Sequence, residues 1–297
     1  MNYYKEIKEE LINNEIYKKV KDYSKNKNDL TTYYNVGKLL YDAGSKYGES
    51  IIEKYSEKLT IEINKKYNKR TLFRIRKFYK IFSNKKVPTV STQLSWSHYC
   101  ELLNLTNFNI IEYYINISIN QNLSVRELRT RIKNKEYERL PEETKHNLLK
   151  NNENYQITDL IKNPIIIKNS NNYEIISEKI LQNLILEDIP AFLDELGPGF
   201  TFVKNEYKIK LGDRYNYIDL LLYNIEYNCY VVVELKVTEI KKEHIGQIEL
   251  YMNYIDKNIK KVNQDKTIGI IICKKDNKFV MEYSSDPRIY RTIYSLN

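Results

Sequence analysis

The sequence predicts a two-domain protein in which a helical domain is followed by an α/β domain. Apolar residues recur at three- and four-residue steps up to about Lys135, a spacing typical of helices. From Tyr173 onward, one further helical pattern is followed by short apolar runs that are typical of strands. The segment between them is polar and contains Pro141 and Pro164. We therefore expect a helical domain over residues 1–135, a linker over 136–172 and an α/β domain over 173–297.

Composition and charge limit the classes of function open to this chain. The 297 residues are 42% hydrophobic and 29% charged, enough to bury the cores of two ordinary domains. Lysine and arginine total 48 against 39 acidic residues, which gives a net charge of +9. This excess favours a polyanionic partner such as nucleic acid, although a genome biased towards lysine and asparagine codons would give the same balance. The three cysteines and three histidines are scattered without a CxxC pair, which argues against a zinc site or a disulfide framework.

The N-terminal segment MNYYKEIKEELINNEIY is charged and lacks the apolar core of a signal peptide. No apolar run approaches the length that crosses a bilayer. Both observations predict a cytoplasmic protein without a membrane partner.

Several segments of the first domain have the apolar spacing of amphipathic helices, among them LTTYYNVGKLLYDA and ESIIEKYSEKLTIEI. The segment LSVRELRTRI begins with Ser124 and Glu127 at the spacing of a capping box, so a helix is expected to start there. In QLSWSHYCELL, we interpret Trp96 and His98 as cap and core residues, because neither a nucleophile nor an orienting acid accompanies the histidine.

A basic segment of the first domain is the candidate for contact with DNA. Between Glu62 and Glu101 the sequence contains no acidic residue. A helix that starts near Thr71 would bury Leu72, Ile75, Tyr79 and Phe82 and present basic residues on its opposite face. The candidate DNA contacts are Lys69, Arg70, Arg74, Arg76 and Lys77. A basic outer face suits the phosphates of DNA, while a solvated face or a face that binds a protein partner are the alternatives.

The second domain begins with a helix in YEIISEKILQNLILEDIPAFLDEL, which is expected to bend at Pro190 and end at Gly197. Three strand-like runs follow, joined by short turns: FTFVKNEYKIKL, YNYIDLLLYN and CYVVVELK. A helix in KEHIGQIELYMNYIDKNI and a buried strand in TIGIIICKK complete an α-β-β-β-α-β order.

The second and third strand-like runs read as a hairpin. A four-residue turn over Ile225–Asn228 would pair Asn224 with Cys229, and Asp219 would then lie opposite Glu234. Strand alternation places Asp219, Glu234 and Lys236 on one face and Ile218, Leu220, Leu222, Val231, Val233 and Leu235 on the other.

Asp219 facing Glu234 indicates a metal site, because two carboxylates repel each other unless a cation lies between them. Oxygen ligands suit a hard divalent cation, Mg²⁺ or Mn²⁺. Lys236 beside them would position or help to deprotonate a water molecule, or stabilise developing negative charge. This arrangement is typical of phosphodiester hydrolysis. The alternative is a cross-strand ion-pair cluster at a sheet edge.

Residues on the flanking helices extend this pattern. Glu195 closes the leading helix just before Gly197, while Gln247 and Tyr251 are four residues apart and share one face of the following helix. An acid on a leading helix, an aspartate on the second strand and E-x-K on the third resemble the PDDEXK nuclease superfamily. The segment QIELY resembles the Q-x-x-x-Y element of its RecB-like branch.

A closer resemblance covers nearly the whole chain. The segments ELGPGFTFVKNEYKIKLGDRYNYIDLLLYN, VVVELK and GQIELYMNYID resemble the C-terminal domain of the bacterial YhcG-like nuclease family. The segments YNVGKLL, NKRTLFRIRKFY and QLSWSH resemble the N-terminal domain of the same family. The resemblance implies a PDDEXK, restriction-endonuclease-like α/β domain preceded by an α-helical, winged-helix-like domain that binds DNA.

The resemblance also implies roles for individual residues. The catalytic set would be Asp219, Glu234, Lys236, Glu195, Gln247 and Tyr251. The metal ligands would be Asp219, Glu234, the backbone carbonyl of Leu235, and Glu195 directly or through water. Gln247 and Tyr251 would orient the site or the DNA backbone. Asp194 is the alternative to Glu195 as the helix-borne acid. Asp213 is interpreted as a turn residue.

These observations predict a metal-dependent DNA endonuclease. The first alternative is a structure-selective nuclease of the Holliday-junction resolvase type, or a repair nuclease. The second is a non-catalytic DNA-binding or assembly protein with a PDDEXK fold. Cleavage of both strands of a duplex would suggest a homodimer with one site per strand.

Overall fold

Amphipathic helices make up the first half of the chain. The computed structural model describes residues 2–19, 25–48, 50–83, 93–149, 156–277, 280 and 286–297. These form two compact units, Met1–Lys135 and Glu136–Asn297. In the first unit the helices are α1 (Tyr3–Lys19), α2 (Lys25–Tyr47), α3 (Ser50–Glu62), α4 (Lys69–Ser83), α5 (Trp96–Leu102), α6 (Phe108–Asn120) and α7 (Val125–Lys133). None of the helices in the described ranges is long and apolar enough to cross a membrane.

Two helix starts in this unit follow the predicted capping chemistry. The Ser124 hydroxyl accepts a hydrogen bond from the Glu127 N–H, and the Glu127 carboxylate accepts one from the Ser124 N–H, so the predicted capping box is present. His98 lies with its Nδ1 2.8 Å from the Ser95 hydroxyl and its Nε2 3.0 Å from the carbonyl of Leu123. The histidine therefore joins two segments of the unit, which is the structural role expected for it. A winged helix also contains a β-hairpin, and the described residues of this unit include no strand, so that detail stays a prediction.

The close packing of α2 against α4 depends on Gly37. A Cβ added at this position would lie 2.6 Å from the carbonyl oxygen of Ile75 and 2.7 Å from the Cβ of Tyr79, distances that no side chain tolerates. Gly44, on the same helix, would place its Cβ 3.2 Å from the flexible end of Arg76. The close approach of the two helices therefore requires glycine at position 37, whereas position 44 can accept a small side chain.

Gly37→Ala should destabilise the helical unit by about 1–3 kcal/mol, because α2 and α4 must move apart to accept the methyl group. Gly44→Ala is the matched control within the same helix. It should leave stability unchanged or raise it by up to about 1 kcal/mol through helix propensity. Denaturant unfolding of the full chain measures both variants. Equal stability of the two variants would contradict the role given to Gly37.

The second unit contains a six-stranded mixed sheet between helices. Its helices are α8 (Glu142–Leu149), α9 (Glu178–Glu187), α10 (Ile189–Leu196) and α11 (Lys242–Asn258). Its strands are β1 (Ile165–Ile167), β2 (Phe200–Leu211), β3 (Arg214–Asn224), β4 (Cys229–Glu239), β5 (Ile268–Lys275) and β6 (Ile289–Leu296). The strand order is β1-β6-β5-β4-β3-β2, with parallel pairs from β1 to β4 and antiparallel pairs from β4 to β2. One apolar layer packs on α9 and α10 and the other on α11.

The segment expected to be a linker is largely part of this second unit. Helix α8 and strand β1 fall within residues 136–172, and β1 pairs in parallel with β6. Ile161, Ile165 and Ile167 are buried in the layer against α9 and α10. The linker interpretation was wrong there because prolines and polar residues surround a short apolar run, and only tertiary pairing makes that run a strand.

The predicted bent helix is two helices. Helix α9 ends at Glu187, and the side chain of Asp188 accepts a hydrogen bond from the Ala191 N–H at the start of α10. Pro190 lies in the first turn of α10, where its missing N–H has no intrahelical partner to lose. The chain therefore breaks at a cap instead of bending at the proline.

Candidate active site

The β3–β4 hairpin has the predicted register. Asn224 pairs with Cys229, and the ladder continues to Leu220 opposite Val233. One step further the ladder stops, and the Leu235 N–H donates to Oδ2 of Asp219 at 2.8 Å. The side chain of Asp219 thus takes the place of the backbone pairing that was expected between Asp219 and Glu234. The β3–β4 ladder therefore ends beside the two carboxylates.

One part of the facing prediction was wrong. Leu220 lies in the layer against α9 and α10, but Ile218 lies in the layer against α11. The β2–β3 pairs from Lys204–Leu221 to Leu211–Arg214 share one register, but Asp219 and the residue opposite it, Glu206, form no pair, and Glu206 has a positive φ of 47°. This irregularity interrupts the alternation of side chains at Asp219, so Ile218 and Leu220 face different layers.

Glu234 is a buried carboxylate with an incomplete set of partners. It is 1% exposed, and its Oε1 has no hydrogen-bond partner. Burial, and then the neighbouring charge of Asp219, raise the pKa of Glu234 to about 8. Burial also raises the pKa of Asp219, against the opposing effects of the Leu235 N–H and Lys236. The site therefore holds two carboxylates whose ionisation stays disfavoured even with Lys236 beside them.

Lys236 is the cation nearest to this pair. Its Nζ lies 3.4 Å from Oε2 of Glu234 and 3.7 Å from Oε2 of Glu178. Burial alone would lower the pKa of this lysine, but the carboxylates of Glu234, Glu178 and Asp219 leave it raised above the usual value. Lys236 is consequently protonated near neutral pH. The structure brings Asp219, Glu234 and Lys236 together as the sequence predicted.

Helix α9 contributes two residues that the sequence did not single out. Glu178, in its first turn, reaches Lys236, and the buried Gln182 one turn later donates from Nε2 to the Asp219 carbonyl at 2.9 Å. An acid in the first turn of a helix has an ordinary explanation in the helix dipole, so Glu178 carried no functional signal. The i, i+4 spacing of the two residues was the available clue.

The predicted helix acid Glu195 lies elsewhere. Its carboxylate accepts hydrogen bonds from both terminal nitrogens of Arg139 and from the Ile166 N–H, on strand β1. Strand β1 is at the edge of the sheet opposite to β2 and β3. Glu195 therefore anchors β1, and its assignment to the metal site was wrong. Asp194, its proposed substitute, is exposed on the same helix, and Asp213 lies in the turn between β2 and β3.

Gln247 and Tyr251 face the site from α11. Gln247 donates from Nε2 to the Tyr251 hydroxyl at 3.1 Å. Tyr251 is buried, and burial raises its pKa, with smaller contributions from Glu234 and Asp219. The two residues are thus coupled to each other and lie close to the carboxylate pair, which is the arrangement expected of orienting groups.

Within the described residues, no set of three or more His, Cys, Asp or Glu side chains is arranged to hold a metal ion. Asp219 and Glu234 nevertheless fit a hard cation, because one buried carboxylate oxygen lacks a partner and both groups resist ionisation. Magnesium is commonly held by one or two carboxylates and retains several water molecules. Two carboxylates and a backbone carbonyl are sufficient for such a site.

The basic residues predicted to contact DNA lie on α4. Arg70, Arg74, Arg76 and Lys77 line a cavity of about 540 Å³ between α2 and α4. Lys69 is instead paired with Glu53 at 2.5 Å. The buried face of α4 consists of Leu72, Ile75, Phe78 and Phe82. Tyr79, which was expected in that face, is partly exposed and its ring contacts those of Tyr34 and Tyr41.

Comparison with known families covers both units. The model of the YhcG PDDEXK nuclease domain matches residues 158–293, and that of the DUF1016 N-terminal domain matches residues 7–139. The chain belongs to the YhcG-like family. The Escherichia coli (strain K12) protein named "Putative nuclease YhcG" is 23% identical over 283 residues, which are 82% of this chain and 76% of that protein. The predicted fold class, a helical region followed by an α/β nuclease domain, is confirmed.

Two solved structures show limited similarity. A repair endonuclease from Pyrococcus abyssi is 19% identical, with 41% of this chain and 48% of that chain covered and a TM-score of 0.30. A complex of EndoMS with double-stranded DNA is 18% identical, with 42% and 48% covered and a TM-score of 0.31. The chain thus spans about half the length of either protein.

Proposed function

We propose that the second unit hydrolyses DNA phosphodiester bonds with a divalent cation, Mg²⁺ or Mn²⁺, held by Asp219 and Glu234. The observation that carries this proposal is the buried Glu234 oxygen that lacks a partner beside a second carboxylate. Buried polar atoms are nearly always paired, so an unpaired oxygen beside a second carboxylate favours a site that accepts a cation. The backbone carbonyl of Leu235 is the proposed third ligand.

When bound, the cation supplies Lewis-acid polarisation of the scissile phosphate and lowers the pKa of the attacking water. Lys236 stabilises the negative charge that develops on the phosphate, because it is protonated and lies against both Glu234 and Glu178. Its raised pKa makes it a poor general base. Of the roles predicted for this lysine, electrostatic stabilisation is the one that the geometry supports.

Neighbouring residues keep this set in place. Gln182 holds the backbone of Asp219, and the Leu235 N–H fixes one oxygen of its carboxylate. Glu178, and not Glu195, is the helix acid that we assign to the site, where it orients Lys236. Gln247 and Tyr251 orient bound DNA or water from the side of α11.

The helical unit is proposed to contact DNA phosphates through Arg70, Arg74, Arg76 and Lys77 of α4. Together with Lys80, these residues place five arginine and lysine side chains around one cavity, which forms a surface of strong positive potential. Phosphate contacts of this kind make binding depend steeply on salt and carry no sequence information. Lys69 is the weakest member of the predicted set, since it is paired with Glu53. A protein partner bound through this unit is the alternative to DNA.

Cleavage should require added Mg²⁺ or Mn²⁺ and stop completely on chelation. The full chain is incubated with linear, single-stranded and branched DNA, and with RNA, in the presence of each metal ion or of EDTA. The Asp219→Ala/Glu234→Ala double variant is the control for contaminating nucleases. Cleavage by the double variant would refute the assigned site. Failure of the wild type with either ion, together with tight salt-dependent binding, would favour a non-catalytic DNA-binding protein.

A further inference from the structure

The β2–β3 hairpin extends beyond the catalytic carboxylates and presents large exposed side chains. Tyr215 is 56% exposed and Tyr217 is 52% exposed. They pair across the hairpin with two exposed lysines, Tyr215 with Lys210 and Tyr217 with Lys208. The Nζ of Lys208 lies 3.8 Å from the centroid of the Tyr215 ring. We call these four side chains the hairpin platform.

The platform is continuous with the proposed active site. Tyr217 is only two residues from Asp219 on β3, and the β2–β3 pairing has the same register on both sides of Asp219, which itself has no partner in the ladder. Two residues along a strand span about 7 Å, roughly the spacing of one nucleotide. A nucleic-acid strand whose phosphate lies at Asp219 would therefore have its neighbouring nucleotides over the platform.

The opposite side of the hairpin shows why these tyrosines are unusual. Ile209 and Ile218 are buried and fix the hairpin to the layer against α11. The hairpin is thus already anchored by its inner side, and the outer rings are left in solvent. Lys208 and Lys210 provide positive charge for phosphates beside two aromatic surfaces for bases, the combination found in surfaces that bind single strands.

We propose that the hairpin platform binds unpaired nucleotides next to the scissile phosphate, so that DNA with single-stranded segments is the preferred substrate. This inference rests on the proposed nuclease function. In a duplex both faces of each base are covered by its neighbours, so a tyrosine ring can stack only on a base that has left the helix. The contact of Lys208 with Tyr215 does not prevent this, because an exposed cation–π contact is weaker than base stacking. Stacking of this kind discriminates little between bases.

Binding in EDTA tests the platform without depending on cleavage. The full chain is titrated with fluorescent oligonucleotides that are single-stranded, blunt-ended duplex, or duplex with a single-stranded flap. Wild type should bind the single strand and the flap more tightly than the blunt duplex. Tyr215→Val and Tyr217→Val should each weaken binding of the first two by about tenfold, with blunt-duplex binding changed less than twofold. Valine keeps the strand propensity of tyrosine but cannot stack.

Two further variants separate stacking from hairpin stability. Tyr215→Phe keeps the ring and should bind like wild type, while Tyr173→Val removes another exposed tyrosine of the same unit and should change nothing. Thermal unfolding checks that each variant is folded. The platform proposal would be overturned if both valine variants bound as tightly as wild type. It would also be overturned if they lost affinity equally for all three oligonucleotides. Loss of single-strand binding in a chain that cleaves no DNA would uphold the platform and reject the nuclease function.

Discussion

Glu234→Gln should abolish DNA cleavage and at the same time make the metal-free protein more stable. The carboxylate is a proposed metal ligand, and its loss removes several kcal/mol of stabilisation from the transition state, so the rate should fall at least about 10³-fold. Glutamine has nearly the same shape but carries no charge at any pH. The variant therefore keeps the packing of the site and relieves the repulsion between Glu234 and Asp219.

The gain in stability should depend on pH. The pKa of Glu234 is about 8 in the folded protein, against an ordinary value of 4.5. Between pH 4.5 and pH 8 the folded state therefore holds a proton that the unfolded state has lost. Stability of the wild type therefore falls as pH rises from about 4.5 to about 8, while the glutamine variant lacks this slope. In EDTA the two proteins should unfold at similar temperatures near pH 4.5. The variant should be more stable by several degrees at pH 8.

Glu239→Gln is the matched control for this experiment. Glu239 lies on the same strand, but its pKa is lowered by hydrogen bonds from Lys275 and Asn277. Its ionised form is therefore favoured by folding, and the substitution should not raise stability at pH 8. Added Mg²⁺ should raise the unfolding temperature of the wild type and of this control but not of Glu234→Gln. A Glu234→Gln protein less stable than wild type at pH 8 in EDTA would contradict the repulsive site.

The contrast between Glu234 and Glu195 shows what the sequence could predict. The pairing of Asn224 with Cys229 follows from local turn length, and strand alternation then brings Asp219, Glu234 and Lys236 together. The helix acid could not be located in this way. Glu195 and Glu178 lie at opposite ends of the α9–α10 segment, and only the break at Asp188 decides which acid approaches the sheet at β4.

Strand β1 marks a second limit. A three-residue strand has too little length for a pattern, and it exists because Ile165 and Ile167 pair with β6, well over 100 residues later. Arg139, in the same predicted linker, then occupies the carboxylate of Glu195. This long-range pairing keeps Glu195 away from the site, and no pattern in the local sequence predicts it. Local rules therefore located the strand-borne part of the site and failed for its helix-borne part.

Lys236→Met should lower the cleavage rate by about 10²–10³-fold without preventing metal binding. The lysine is 8% exposed and lies against Glu234 and Glu178, so it acts as a fixed positive charge beside the carboxylate pair. Methionine has a similar length and suits a buried position, so the fold should survive. Removing the competing cation leaves Asp219 and Glu234 free to bind metal, and the Mg²⁺-dependent rise in unfolding temperature should persist or grow.

Retention of that thermal shift distinguishes a catalytic lysine from a ligand or a structural residue. Loss of both cleavage and the shift would place Lys236 in metal binding, and cleavage within tenfold of wild type would refute its catalytic role. Lys236→Arg keeps the charge but not the compact ammonium group, so it should recover part of the rate. Lys275→Met removes a lysine that is 75% exposed on the adjacent strand β5 and should leave cleavage unchanged. The proposed role of Lys236 requires its protonated form, which the raised pKa of this lysine favours. Cleavage activity should therefore not increase at a pH high enough to remove this proton.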